Sequence, residues 1–387
     1  MNDVPLDLLH DLCSLPTAAF LEDAVLEYVD RWAKDRKGIK VKTDRFGNRL
    51  LSVKGRDRKA PRLVLVAHSD HPSFVSGETI DGVLHAEFRG GVLADHADGA
   101  KVTFFTPDGE VAAKATAEAG ENGRLVSATF DLPSTKEVPP SCVGMFDFPG
   151  TLPKVKGRGG KEFHARACDD LAGLAAGLSA LENLLDQKPG AGVSVLVTRA
   201  EEIGFIGAIA AARDKKGLLQ KDDRVISIET SSAQPAAPIG EGCVLRIGDK
   251  TSVFHSGLCH FLHNRCEALA KEVDGFQYRR ALMPGGTCEG TPFDAFGYVT
   301  SAVCVPLGNY HNMNRDKGTM GPEFIDVSDW QNLVKMLTDA GLHHHEFDGK
   351  TTNLKSVMKT RFNNHRHLFK TPGDPLEKPT AKKVAPI

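Results

Sequence analysis

The run Leu63-Val64-Leu65-Val66-Ala67 is apolar at every position and too short for a buried helix, a pattern that suits a strand covered on both faces. Similar runs recur at Val193–Val197 and Val225–Ile228. Leu171, Leu174, Ala175, Leu178, Leu181 and Leu185, at helical spacing, separate the first two runs, and a shorter helical stretch, Ile206 to Ala212, separates the second and third. Strands alternating with helices predict an α/β fold whose mostly parallel sheet is sandwiched between helices. Ser301 to Val305 reads as a fourth strand. A closing helix then begins at Ser328, with Gln331 completing a capping box, and turns Trp330, Leu333, Val334 and Leu337 inward. Before the first run, Leu21, Val25, Tyr28, Val29 and Trp32 mark an amphipathic helix. Ile39–Thr43 and Leu50–Val53 read as a half-buried hairpin turning at Asp44-Arg45-Phe46-Gly47-Asn48.

From Pro72 to Glu162 the alternation stops. Gly-rich turns and short alternating runs (Val83–Phe88, Val102–Phe105, Leu125–Phe130) predict a small β-rich, barrel-like domain over 72–162, inserted into a catalytic domain made of 1–71 and 163–350. Residues 351–387 form a basic, Pro-containing tail, read as mobile or as an arm lying on a neighbouring subunit. Lys382-Lys383 reads as a solvated end. With 48 basic and 50 acidic residues among 387, the charge balance argues against nucleic acid as the main partner. No basic region followed by an unbroken apolar run opens the chain, and no membrane span is visible. The 8 cysteines include no C-x-x-C pair, which favours reduced thiols and a cytoplasmic setting.

Ligands of open parallel sheets gather at the carboxyl ends of the strands. Here the first run ends Ala67-His68-Ser69-Asp70-His71, the second Thr198-Arg199-Ala200-Glu201-Glu202 and the third Ile228-Glu229. Asp169-Asp170 precedes the long helix, where the helix dipole favours carboxylates, and His311 follows the fourth strand. Each feature alone is commonplace: a loop histidine, a helix cap, a solvated acidic pair. Together they lie on one edge of one sheet. Imidazoles and carboxylates without thiolate suit Zn²⁺, Co²⁺ or Mn²⁺ rather than a closed structural zinc. So many adjacent acids would repel one another, and two divalent ions would remove the conflict. The tract His343-His344-His345 reads as exposed histidines at a helix C-terminus, and His260 and His263 as helix packing or surface.

The stretches Asp44–Asn48, Ala67–Asp70, Cys168–Gly173, Glu201–Ala208, Gly285-Gly286-Thr287 and Tyr310-His311 together resemble the co-catalytic zinc aminopeptidases, closest to the glutamyl aminopeptidase group that builds tetrahedral self-compartmentalising particles. The resemblance runs in order from about residue 6 to 342. It implies that His68 and Glu229 bind one metal, Glu202 and His311 bind a second, and Asp169 bridges them. Asp70 would orient the His68 ring, and Glu201 would be the general base acting on a water between two divalent ions, zinc by the resemblance, with cobalt or manganese as alternatives. Gly286 and Thr287 would contact substrate. The chain departs from the family pattern at His71, Leu171, Glu229 and the Cys288-Glu289 that follows Thr287. The implied activity is hydrolysis of the N-terminal residue of short peptides by a homo-oligomer, from a dimer to a dodecamer. An N-acyl amino acid amidohydrolase or carboxypeptidase would use the same water activation, and a non-catalytic peptide-binding scaffold would keep the fold without needing Glu201.

Overall fold

A computed structural model describes residues 5–150, 152–156, 161–348 and 352–369. In chain order the first elements are α1 (Asp7–Cys13), α2 (Asp23–Lys34), β1 (Lys40–Thr43), β2 (Arg49–Val53) and β3 (Leu63–His68). The next group is β4 (Ser73–Ile80), β5 (Val83–Arg89), α3 (Ala94–Ala97), β6 (Lys101–Thr106), β7 (Gly109–Ala119), β8 (Leu125–Asp131) and β9 (Val143–Phe146). Then come β10 (Lys154–Lys156), β11 (Glu162–Ala165), α4 (Leu171–Gln187), β12 (Val193–Thr198), α5 (Ile206–Arg213), β13 (Arg224–Ser232), β14 (Cys243–Asp249), α6 (Ser256–Glu272) and β15 (Tyr278–Met283). The last are α7 (Gly290–Ala295), β16 (Val299–Gly308), β17 (Met313–Asn314), β18 (Thr319–Met320), β19 (Glu323–Asp326), α8 (Val327–His343) and α9 (Thr352–His365).

The main sheet has 11 strands, and its spine runs β1-β2-β12-β3-β13-β16-β19-β11-β10, with β14 and β15 beside β16. Its centre, β12-β3-β13-β16, is parallel, as the apolar runs predict. The flanks are largely antiparallel, so the sheet as a whole is mixed. Alternate residues of one strand serve opposite faces: Leu63, Leu65 and Ala67 pack with α1, α4 and α8, whereas Val64 and Val66 pack with α5 and Phe293 of α7. This two-sided burial explains why the central strands read as unbroken apolar runs.

Strands β4 to β9 close into a barrel in the order β4-β5-β8-β7-β6-β9. Phe74, Phe88, Phe104, Phe130 and Phe146 fill it, with Phe74 and Phe130 edge to face at 5.2 Å. Lys154–Lys156 falls within the 72–162 insertion expected from the sequence, but it pairs with β11 and so belongs to the main sheet.

Three local expectations need correction. The closing helix α8 is capped by Asp326, whose carboxylate accepts the N–H groups of Ser328 and Asp329; the capping box opening at Ser328 does not form the cap. Strand β1 is exposed throughout rather than half-buried; it is a Lys-bearing edge strand, and such charges block edge-to-edge pairing. Within the histidine tract, His344 is buried with Nε2 against the Ala191 carbonyl at 3.4 Å, and burial pulls its pKa down to about 4. The expected tail is helical over Thr352–His365, while Lys382-Lys383 and the rest of 370–387 lie outside the described residues. No helix among the described residues is long and apolar enough to cross a membrane.

Candidate metal centre

At the carboxyl rim of the parallel strands, His68 closes β3 and the loop that follows buries Ser69, Asp70 and His71. Glu201 and Glu202 lie just beyond β12, in the turn leading to α5. Strand β13 does not end at Glu229: it stays paired with β16 as far as Ser232, so Glu229 and Thr230 lie within the strand. Asp169 precedes α4, and Asp170 is its N-cap residue but makes no side-chain capping bond. His311 sits in a single helical turn after β16.

These residues meet around one carboxylate. His68 Nε2 lies 3.4 Å from Asp169 Oδ1, and His311 Nε2 lies 3.5 Å from Asp169 Oδ2. Glu202 approaches His311 Nε2 to 3.3 Å, and Glu201 approaches His68 Nε2 to 4.0 Å. Donor atoms of His68, Glu201 and Glu229, and of His68, Asp169 and Glu202, form two groups whose members all lie within 4.8 Å of one another. The other ring nitrogens are tied to main-chain carbonyls: His68 Nδ1 donates to Asp70 at 3.1 Å and His311 Nδ1 to Gly91 at 2.8 Å. Those bonds fix the tautomers and leave both Nε2 lone pairs facing Asp169.

The Asp70 carboxylate lies 3.6 Å from the His68 ring but makes better bonds elsewhere. Its oxygens accept the N–H groups of Glu201 at 2.9 Å and Glu202 at 3.1 Å, so it locks the backbone of the glutamate pair. Thr230 donates its hydroxyl to Asp169 Oδ1 at 3.2 Å. Gly286 and Thr287 border the adjoining cleft, where the Thr287 hydroxyl meets that of Thr251 at 2.7 Å.

Several residues to which the sequence assigns no role hold this arrangement. Glu323 accepts the N–H groups of Cys168 at 2.7 Å and Asp169 at 3.0 Å with one oxygen, and that of His311 at 2.8 Å with the other. Glu22 accepts from the N–H of Ala200 at 2.9 Å and from Arg199 Nε at 2.7 Å. His71 bonds the Asp169 carbonyl through Nδ1 at 2.6 Å and Asn312 through Nε2 at 3.1 Å. Ala200, Phe205, Asn309, His311 and Asn312 all adopt left-handed backbone conformations, which cost roughly 1–3 kcal/mol each and persist where surrounding bonds over-determine them. Nothing in the local pattern marks Glu323 or Glu22, because each acts on main-chain groups far away in sequence.

The electrostatics call for cations. Burial, then crowding by neighbouring acids, pushes Glu202 well above the usual carboxylate range; burial does the same to Glu201 and Asp170, and lifts Glu229 to about 8. Asp169 moves the other way: burial opposes its charge, but His311 and His68 outweigh that and hold it low. Burial likewise opposes protonation of His68, yet the surrounding carboxylates of Glu201, Asp169 and Asp70 raise it well above its ordinary value. Glu202 Oε1, Glu229 Oε1 and His311 Nε2 are buried without a hydrogen-bond partner. Orphaned acceptors of this kind, and a histidine driven to carry a proton, are the chemistry of a site built for metal ions.

Two cavities flank the cluster. One of about 190 Å³ is bordered by Glu229, Ser231, Gln234, Arg246, Met283 and Gly286. The other, of about 440 Å³, is bordered by Glu201, Glu202, Phe205 and His311 and by barrel residues Gly91 and Arg124. Arg246 is 3% exposed, donates to Ser231 Oγ at 3.0 Å and leaves its buried Nε unpartnered.

The fold and the site define a class, the metal-dependent aminopeptidases with a mixed α/β core and an inserted barrel. Within that class the chain belongs to the M42 glutamyl aminopeptidase family, whose model matches residues 47–316, and it is a peptide hydrolase. No curated protein sequence matches it. Among solved structures, an aminopeptidase from the archaeon Desulfurococcus kamchatkensis shares the fold with a TM-score of 0.72 and 21% identity, covering 87% of this chain and 94% of its own. The TET aminopeptidase of a marine-sediment Thaumarchaeota archaeon superposes with a TM-score of 0.72 at 17% identity, over 87% of this chain and 96% of its own. The TET1 peptidase of Pyrococcus horikoshii, which can assemble into a tetrahedron or a large octahedral shell, gives 0.69 at 21% identity, over 87% and 99%.

Proposed function

We propose that the chain removes the N-terminal residue of short peptides with two divalent cations, His68 and Glu229 holding one, Glu202 and His311 the other, and Asp169 shared between them. The observation that carries this reading is a single carboxylate, Asp169, whose two oxygens face two imidazoles at 3.4 and 3.5 Å. A donor set of imidazole and carboxylate favours Zn²⁺, with Co²⁺ and Mn²⁺ also compatible. When bound, such a pair of cations would acidify a water and polarise the scissile carbonyl as Lewis acids. Glu201 is the proton carrier. Its side chain is 11% exposed, and burial raises its proton affinity above the usual carboxylate range, which suits a group that takes a proton and returns it to the leaving amine. Asp70 is a positioning residue: by accepting both N–H groups it sets where the Glu201 and Glu202 side chains start. Gly286 and Thr287, which border both cavities, contact the substrate backbone.

The buried guanidinium of Arg246 supports selection of an acidic N-terminal side chain in the smaller cavity, in keeping with the family's glutamyl name. Homo-oligomeric assembly and a role of the barrel in subunit contact or access follow by analogy with the TET1 peptidase. The 8 cysteines, all free and buried, support a reducing, cytoplasmic setting.

Aminoacyl anilides assayed beside N-acetylated counterparts test the reading: it requires hydrolysis of the free-amine substrates, and turnover confined to blocked amides would assign an amidohydrolase instead. Glu201→Gln distinguishes a scaffold from an enzyme. The variant should bind both ions but lose at least about 100-fold in turnover, and unchanged turnover would remove Glu201 from the mechanism.

A further inference from the structure

The larger cavity carries positive charge that none of the hydrolytic roles uses. Besides Glu201, Glu202 and His311, it is lined by Arg124, Lys250 and Arg315, of which Arg315 borders the smaller cavity as well. The three come from separate parts of the chain: Arg124 from the turn between β7 and β8 of the barrel, Lys250 from the residue after β14, and Arg315 from the residue after β17. All three are exposed, and among the described residues their side chains make no ion pair or hydrogen bond. Bringing like charges from three elements to one wall is unfavourable unless an anion visits it. The acids on the same wall, Glu201 and Glu202, are turned to the metal centre, where they lie 4.0 Å from His68 and 3.3 Å from His311.

Glu201 determines which part of a substrate reaches these cations. On the reading proposed above, it returns its proton to the leaving amine, so the leaving half of the peptide must extend from Glu201. Glu201 and Glu202 border the larger cavity and not the smaller one. The N-terminal side chain therefore enters the smaller cavity beside Glu229, and the leaving half enters the larger.

We infer that Arg124, Lys250 and Arg315 bind a carboxylate on the leaving half of the substrate, supplied by the terminal carboxylate of a di- or tripeptide or by an acidic side chain directly after the scissile bond. The planar forks of two arginines and the point charge of a lysine suit a carboxylate arriving in varied poses. Exposed pairs are individually weak, roughly two- to threefold each, so three converging cations give a preference of about tenfold. Added salt screens such pairs and erodes the preference.

The inference rests on the aminopeptidase reading, and the test separates the two. The substrates are dipeptides sharing one N-terminal residue: Xaa-Ala with a free carboxylate, Xaa-Ala amide, Xaa-Glu amide and Xaa-Lys amide. The expected order is Xaa-Ala acid or Xaa-Glu amide about tenfold above Xaa-Ala amide in kcat/KM, expressed mainly in KM, with Xaa-Lys amide lowest. Preference for the acid alone assigns the terminal carboxylate; preference for Xaa-Glu amide alone assigns the acidic side chain. Arg124→Ala and Lys250→Ala should each lower the preference about two- to threefold, and Arg124→Glu should raise Xaa-Lys amide above Xaa-Glu amide. Lys216→Ala, beyond the far end of α5, is the control that leaves the order intact. Calorimetry with reduced-bond (–CH₂–NH–) analogues, acid against amide, reads the same contact without turnover. Equal hydrolysis of acid and amide overturns the carboxylate site and leaves the aminopeptidase reading standing. Tighter binding of the acid analogue with no hydrolysis of any peptide upholds the site and overturns that reading.

Discussion

Glu323 gives the sharpest test of how this site is held together. It touches no substrate, yet its carboxylate accepts three main-chain N–H groups, from Cys168 at 2.7 Å, Asp169 at 3.0 Å and His311 at 2.8 Å. It thereby joins the segment that presents the Asp169 carboxylate to the segment that presents His311. Glu323→Gln changes only one oxygen to an NH₂. In its better orientation the amide oxygen keeps the Cys168 and Asp169 bonds, and the NH₂ group is left facing the His311 N–H. One buried N–H then loses its acceptor, costing about 1–3 kcal/mol, and two charge-assisted bonds become neutral ones, about 1 kcal/mol each. The expected loss is about 3–5 kcal/mol at pH 9. Burial first, and then the neighbouring Asp169, push the Glu323 carboxyl up to about 8, so the wild-type chain loses stability between pH 6 and pH 9 that the non-titrating Gln variant cannot lose, and the gap should be wider at pH 6. Urea unfolding of the metal-free protein at both pH values measures this through the midpoint, with the slope unchanged. Affinity for the divalent ions should also fall, about 10- to 100-fold, because the groups that aim the ligands have been loosened. Equal midpoints at pH 9 with unchanged metal affinity would refute the claim that Glu323 organises the centre.

Three further outcomes follow from the same geometry. Stability of the metal-free chain should fall as pH rises from about 4.5 to about 8, because Glu229 and Glu323 at about 8 and Glu289 at about 7 hold protons in the folded state that the unfolded chain releases from about 4.5 upward; saturating metal should flatten the decline, and thermal melts across that range measure it. Arg246→Met should lower kcat/KM for an N-terminal glutamate about 10- to 100-fold while narrowing the gap to N-terminal leucine, and steady-state kinetics on the two anilides would show an unchanged ratio if Arg246 does not select the side chain. Asp70→Ala leaves the N–H groups of Glu201 and Glu202 without their acceptor, so turnover should drop further than metal content does, as read by kcat beside metal analysis; equal losses would make Asp70 merely structural.

What could be read in the sequence followed local periodicity. Leu63–Ala67, Val193–Val197 and Val225–Ile228 showed the central strands because both faces of the sheet are covered, and the polar residues at their ends then marked the rim. His68, Asp169, Glu201, Glu202 and His311 are legible because they lie at or near element ends, and Glu229 because it interrupts the apolar run of a strand that continues past it. The rest depended on contacts that leave no local trace. Glu323 sits on a short strand and acts across 154 and 155 residues of sequence, and Glu22 reaches Ala200 across 178. Arg246 is a charge in the middle of a strand that is apolar up to Asp249 at its end, a signal visible in the sequence. The antiparallel flanks are hidden because short edge strands such as Lys154–Lys156 look like turns, and the cap Asp326 is masked because Ser328 and Gln331 have the spacing of a capping box two residues further on.

The account stands on Asp169 as the carboxylate that joins two cations. A crystal of the zinc-loaded protein, with anomalous data collected on both sides of the zinc edge, measures this directly. Two peaks about 3.5–4 Å apart, one touching His68 and Glu229, the other Glu202 and His311, with one Asp169 oxygen on each, are the expected result. A single peak, or two peaks of which neither touches Asp169, would contradict it.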